Sequence, residues 1–172
     1  MLRICSAKLA HSFSCVMFRV PDPLARKIRI WGLKNLPSSD VHVEEGGREW
    51  DTHVTCKYGL TTSNPDVVRR KIQGFGRFQI RLGEVSLFTT NDEFDVLKVA
   101  VTGEKLHELH KLLSELDNED KHPVYKPHLT IAYIKKGAAK ELAGSLAFTG
   151  ELLWVDELVF SSKSGTKTIV KL

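Results

Sequence analysis

The stretch DTHVTCKYGL, residues 51–60, places His53 and Thr55 two positions apart in an apolar, β-branched run. YKPHLTIAYI, residues 125–134, repeats the arrangement with His128 and Thr130. Both runs read as strands. Side chains i and i+2 of a strand share one face, so each motif sets an imidazole beside a hydroxyl. Val54 and Leu129 then point to the opposite, packed face. A single His-x-Thr triplet carries little weight in a chain with 7 histidines. Two of them, each in an apolar strand entered from a polar loop bearing Pro or Gly, make a constellation.

Working outward from the first motif, SFSCVMFRV (12–20) reads as an opening strand. PDPLARKIRIWGLKNLP (21–37) reads as a helix entered at Asp22–Pro23 and closed around Gly32 and Pro37. VHVEEGGREWD (41–51) is a charged approach to the first motif. Beyond it, NPDVVRRKIQGFG (64–76) predicts a short helix opened by Asn64–Pro65 and closed by Gly74. RFQIRLGEVSLF (77–88) is one long strand, or two with a bulge at Gly83, and FDVLKVAV (94–101) is its return. GEKLHELHKLLSELDN (103–118) carries Leu106, Leu109, Leu113 and Leu116 on one helical face. EDKHPVYKP (119–127) is a polar loop into the second motif. GAAKELAGSLAF (137–148) suggests one or two helical turns, and ELLWVDELVFSS and TKTIVKL supply the closing strands. Strand, helix, polar approach and His-x-Thr strand thus occur twice, which predicts two similar lobes in one α/β (α+β) domain over 12–172. Residues 1–11 are expected to be a loose tail.

The chain has 172 residues, 42% hydrophobic and 27% charged, with a net charge of +4 and a pI near 9.0. No apolar run approaches the ~20 residues of a membrane span. The basic residues are interspersed rather than gathered on one face, which fits a small phosphate-bearing substrate and speaks against a duplex DNA binder. Three cysteines without a CxxC pair make neither a disulfide framework nor a zinc site, so a reducing cytoplasmic setting is expected. The N-terminal segment has Arg and Lys but no acid, a composition shared with mitochondrial presequences; a strand preceded by a loose tail is the simpler reading.

Two imidazoles titrating near neutrality can serve as general base and general acid in one phosphoryl displacement. A hydroxyl beside each can hydrogen-bond a non-bridging phosphoryl oxygen as charge builds there. The chain contains no HExxH, no DxD-type cluster, no P-loop and no Gly-x-Ser-x-Gly, so neither a metal nor another cofactor is expected. Attack by water without a metal is slow. A substrate carrying a ribose hydroxyl next to the scissile phosphate supplies its own nucleophile.

Paired HVTCKYG and KPHLTIAYI strands resemble the 2H phosphoesterase superfamily, which includes 2′-5′ RNA ligase-like proteins. The resemblance runs from about Ser12 to the C-terminus and includes features of short phage and bacterial members. It implies a bilobal fold with a pseudo-twofold axis and a central cleft. By direct match, His53 and His128 would be the catalytic pair, and Thr55 and Thr130 the phosphate ligands. The substrates implied are cyclic di- or oligonucleotides, 2′,3′-cyclic phosphates or 2′-5′ linked oligonucleotides, including immune signals degraded by phage enzymes. The alternatives are 2′-5′ RNA ligation or end processing, and a nucleotide-binding module without turnover.

Other residues are weighed by position. Lys57, at i+4 from His53, shares the motif face by simple alternation, and Lys126 precedes Pro127; both are candidate phosphate contacts. Trp50 is a candidate base-stacking platform, whereas Trp31 follows helical core spacing. Tyr58 and Tyr133, at i+5, face the core unless the strands bulge. His107 and His110 read as a solvated helix face, His42 as a surface residue, and His122 as a loop residue able to reach the cleft.

Overall fold

In a computed structural model, which describes residues 11–172 apart from 121 and 123, the chain folds in the order expected. It runs β1 (Ser14–Arg19), α1 (Leu24–Asn35), β2 (His53–Leu60), α2 (Pro65–Lys71), β3 (Phe78–Phe88), β4 (Phe94–Thr102) and α3 (Glu104–Leu113). β5 (His128–Lys135), β6 (Leu152–Val155), β7 (Glu157–Ser161) and β8 (Lys167–Lys171) follow. Of the expected N-terminal tail, 1–11, residues 1–10 lie outside the described residues.

The strands form one sheet in the order β6-β3-β4-β5-β2-β1-β7-β8, every neighbouring pair antiparallel. The two His-x-Thr strands occupy its centre. Outward from them the halves match: β5-β4-β3-β6 on one side, β2-β1-β7-β8 on the other. The lobes are therefore joined in a single sheet, and only Val54↔Leu129 registers between β2 and β5. β6 and β7 stand at places far apart in the sheet, yet Asp156 alone separates them in sequence. One residue spans at most about 7 Å, so the sheet curls until these strand ends meet.

β2 and β5 each begin at their histidine and overlap only around Val54↔Leu129; beyond the overlap each strand pairs with the other motif's approach. Residues 41–49 pair with β5 through Val41↔Ile134, Arg48↔Ala132 and the bond from Glu49 N–H to Ile131 O. Residues 117–119 pair with β2 through Leu60↔Asn118 and the bond from Glu119 N–H to Gly59 O. These crossings leave the backbone paired beyond the overlap. The helices cross over as well: α1 packs on β5 and α3 on β2. Val54, Cys56, Leu129 and Ile131 form the sheet side of the core, with Ile28 of α1 and Leu106, Leu109 and Leu113 of α3 among its other members.

Two local expectations change. α1 continues through Gly32 to Asn35, because Gly32 is the point of closest approach to β5. A Cβ there would stand 2.9 Å from Ile131 Cγ2. The segment 137–148 forms only a 3-10 turn at Lys140–Leu142. Its backbone instead completes the outer edge of β3, with Gly144 N–H bonding Val85 O and Val85 N–H bonding Ser145 O. The choice at Gly83 resolves as one continuous strand whose register shifts between Leu82 and Val85. Asn64 caps α2 as expected, its side chain accepting from Asp66 N–H.

Candidate active site

The antiparallel pair Val54↔Leu129 sets His53 across from Thr130, and Thr55 across from His128. All four side chains lie on the face not covered by the helices and are half-buried, whereas Val54 and Leu129 are fully buried. Cβ atoms of directly opposed residues are ~5 Å apart, and i to i+2 spans about 7 Å. The motif residues therefore form a quadrilateral with an imidazole at each end of one diagonal, a diagonal that in a regular ladder puts about 8 Å between Cβ atoms. A phosphoryl group centred there would have one imidazole on each side and a hydroxyl at each remaining corner.

The two histidines are held alike. His53 Nδ1 lies 2.6 Å from Asp51 O, and His128 Nδ1 lies 2.8 Å from Lys126 O. A backbone carbonyl can only accept, so each Nδ1 carries its proton and each Nε2 is left for chemistry. Burial holds His128 below the ordinary imidazole range, helped by the charges of Lys98, His53 and His122 and opposed by its bond to Lys126 O. Neutral His128 is thus the form present near pH 7.

Each motif strand also bulges at the same place, one residue past its threonine. Met17 pairs with Thr55 and Val16 with Lys57, leaving Cys56 unmatched. Lys98 pairs with Thr130 and Leu97 with Ala132, leaving Ile131 unmatched. A bulge inverts the alternation beyond it. Lys57 consequently leaves the motif face. It shares a face with the fully buried Val16, is itself only 3% exposed, and bonds Asp120 Oδ2 at 2.8 Å. The assignment of Lys57 to the phosphate side is corrected by this placement. Tyr58 and Tyr133 are turned in the opposite sense: Tyr58 is exposed against Phe13, and Tyr133 is half-buried against Phe94.

The first bulge is fastened from behind. His110 Nδ1–H donates to Cys56 O at 2.7 Å, and Tyr125 Oη–H donates to Thr55 O at 2.8 Å. The His110 and Tyr125 rings stack with centroids 3.9 Å apart. His110, expected on a solvated helix face, is therefore a half-buried strut, and burial lowers its pKa.

The family model of the "2′-5′ RNA ligase superfamily" matches residues 20–167, which include both motifs. The chain belongs to that superfamily. No curated protein sequence matches it. Solved structures share the superfamily fold at low identity. Escherichia coli LigT complexed with 3′-AMP aligns at 13% identity and TM-score 0.63, over 93% of this chain and 94% of LigT. TT0787 of Thermus thermophilus aligns at 16% and 0.60, over 92% and 95%. Kluyveromyces marxianus Usb1 with uridine monophosphate aligns at 10% and 0.58, over 95% and 99%.

Around this superfamily core the remaining candidates separate. Lys126 is exposed; its charge reaches Lys98, and its backbone carbonyl holds His128. Trp50 is exposed but lines a shallow cleft with Ile28, Arg29, Gly32, Arg48 and Ile131, on the α1 side of β5. Trp31 packs edge-on against Phe148. His122 lies in the loop, its N–H bonded to Asp120 Oδ1. Three neighbours of the second motif carry no signal in their own stretches of sequence. Lys98 of β4 stands opposite Thr130, Ser86 of β3 stands opposite Lys98, and the Phe88 ring packs perpendicular to His128 with centroids 4.8 Å apart. Only the strand pairing could have revealed them. No helix among the described residues is long and apolar enough to cross a membrane.

Proposed function

We propose that this member of the superfamily is a metal-independent phosphodiesterase acting on nucleotide substrates that carry a ribose hydroxyl beside the scissile phosphate. The supporting observation is the diagonal His–Thr quadrilateral, with both Nδ1 protons committed to backbone carbonyls. Neutral His128 accepts the ribose hydroxyl proton on Nε2. The freed oxygen attacks phosphorus, and protonated His53 gives its Nε2 proton to the departing oxygen. Thr55 and Thr130 donate to the non-bridging oxygens, whose charge increases towards the transition state. With the roles exchanged, water opens the resulting cyclic phosphate to a monophosphate. Lys126 adds positive potential at the rim. The nucleotide bound to LigT carries its phosphate on the ribose 3′ oxygen, the group left by this two-step path.

Cyclic oligonucleotide signals and 2′-5′ linked oligonucleotides both meet the chemical requirement. The test compares a 3′,3′-cyclic diribonucleotide with its 2′-O-methyl analogue in EDTA. The ribonucleotide should pass through a 2′,3′-cyclic phosphate to a monophosphate, while the analogue resists cleavage. Rapid hydrolysis of the analogue, or activity lost in EDTA and restored by Mg²⁺, would overturn this reading.

A further inference from the structure

Lys98 is unusual among the described lysines. It is 8% exposed, and no carboxylate among the described residues lies within ion-pair distance of it. The other buried lysine among the described residues, Lys57, has Asp120. Burying an ammonium without a contact counter-ion is costly, so such a group signals a partner supplied from outside or a device for another purpose. The cross-strand register places it on the motif face, opposite Thr130 on β5 and Ser86 on β3.

Its side chain reaches away from Thr130 towards β3. Nζ bonds Ser86 Oγ at 2.7 Å and lies 4.2 Å from the centre of the Phe88 ring. Phe88 in turn stands edge-to-face with His128. The Phe88 ring therefore stands between the ammonium and the His128 imidazole, and the one hydrogen bond of the ammonium is directed to β3 rather than to Thr130. An ammonium has three donors, and the described residues supply one acceptor, Ser86 Oγ. Burial pulls the Lys98 pKa below the lysine range, helped by the charge of Lys126 and opposed by the more distant carboxylate of Glu84. Two lysines close enough to repel one another gain most from an anion placed between them.

We infer that Lys98, with Ser86 and Lys126, forms a second phosphate subsite for the phosphate adjoining the scissile one. The substrate is then an oligonucleotide, cyclic or linear, in preference to a nucleoside 2′,3′-cyclic monophosphate. This rests on the proposed function, because it takes the scissile phosphate to lie between His53 and His128. Phe88, between the two anion positions, offers its ring to the intervening nucleoside.

The experiment measures binding by calorimetry, with 2′-O-methyl diuridine monophosphate and its 5′- and 3′-phosphorylated forms as non-cleavable probes. For wild type the better phosphorylated form should bind at least about tenfold tighter than the unphosphorylated one, as expected for a charge-assisted hydrogen bond. Lys98→Gln should reduce that ratio to about threefold or less. Lys126→Ser, at an exposed position, should reduce it by a smaller factor, more at low salt than at high. A wild-type ratio near one, or a ratio unchanged in both variants, overturns the subsite while leaving the diester site standing. Failure of all three probes to bind overturns the proposed function, and the subsite with it. Should Lys98→Gln not fold, the Lys126→Ser ratio and its salt dependence decide.

Discussion

Simple alternation puts Lys57 among the phosphate contacts; the bulge at Cys56 puts it in the core. The two readings separate on stability. Lys57 and Asp120 are 3% and 12% exposed at the side chain, and their charged atoms are 2.8 Å apart. Burial pushes the Asp120 carboxyl up, yet the Lys57 ammonium and the His122 N–H more than offset this and hold it below the ordinary aspartate range. Lys57→Met strands the carboxylate and Asp120→Asn strands the ammonium. Removing one partner of a buried pair costs about 3–5 kcal/mol. In a chain of this size that lowers Tm by about 6–20 °C. Lys57→Met/Asp120→Leu removes both charges and should recover most of the loss, because an apolar pair of similar volume is often no worse than the ion pair. Thermal and urea unfolding measure the cycle, and kcat/KM is taken for each variant well below its Tm. If Lys57→Met melts like wild type but loses more than about tenfold in kcat/KM, Lys57 contacts substrate and the inverted alternation is wrong.

The catalytic assignment predicts a division of labour. His53→Ala and His128→Ala should each lower kcat by ~10²–10⁴-fold, with smaller effects on substrate affinity. Thr55→Ala and Thr130→Ala should cost roughly 10–10²-fold; wild-type turnover in the double histidine variant would place the site elsewhere. Stability should also fall on mild acidification. Burial depresses the pKa of both His110 and His128 in the native state, so between the native and unfolded values only the unfolded chain takes up these protons. Their contribution is fully present above the unfolded imidazole pKa of about 6.5 and is lost as pH falls through the native values. His110→Gln should flatten part of that slope in urea unfolding between about pH 7 and pH 5, and an unchanged slope would refute its share.

How much of this was legible in the chain follows from the range of each signal. The His-x-Thr pair, the helix faces and the Asn64 cap are encoded within a few residues, and the repeated order of elements predicted two matched halves. The crossings were not legible. α1 lies over β5 and the 41–49 approach pairs with the opposite motif's strand because β2 and β5 hold only one registered pair. That is a property of two strands meeting, not of either stretch. The bulges were hidden in the same way. Neither Cys56 nor Ile131 is a residue that demands a bulge. What maintains the first is the pair of carbonyls at Thr55 and Cys56, claimed by Tyr125 and His110 from 70 and 54 positions away. Those two bonds also explain why matching spacing gave different fates to residues around one motif. Before the bulge, alternation assigned His53 and Thr55 to one face and Val54 to the other, as found. After it, the same rule sent Lys57 towards the phosphate and Tyr58 towards the core, and both were inverted. The second motif follows the same course at Ile131, so the inversion belongs to the architecture rather than to one strand. Both bulges lie just beyond the single registered pair of β2 and β5, so the alternation that sets the four motif side chains on one face is untouched by them.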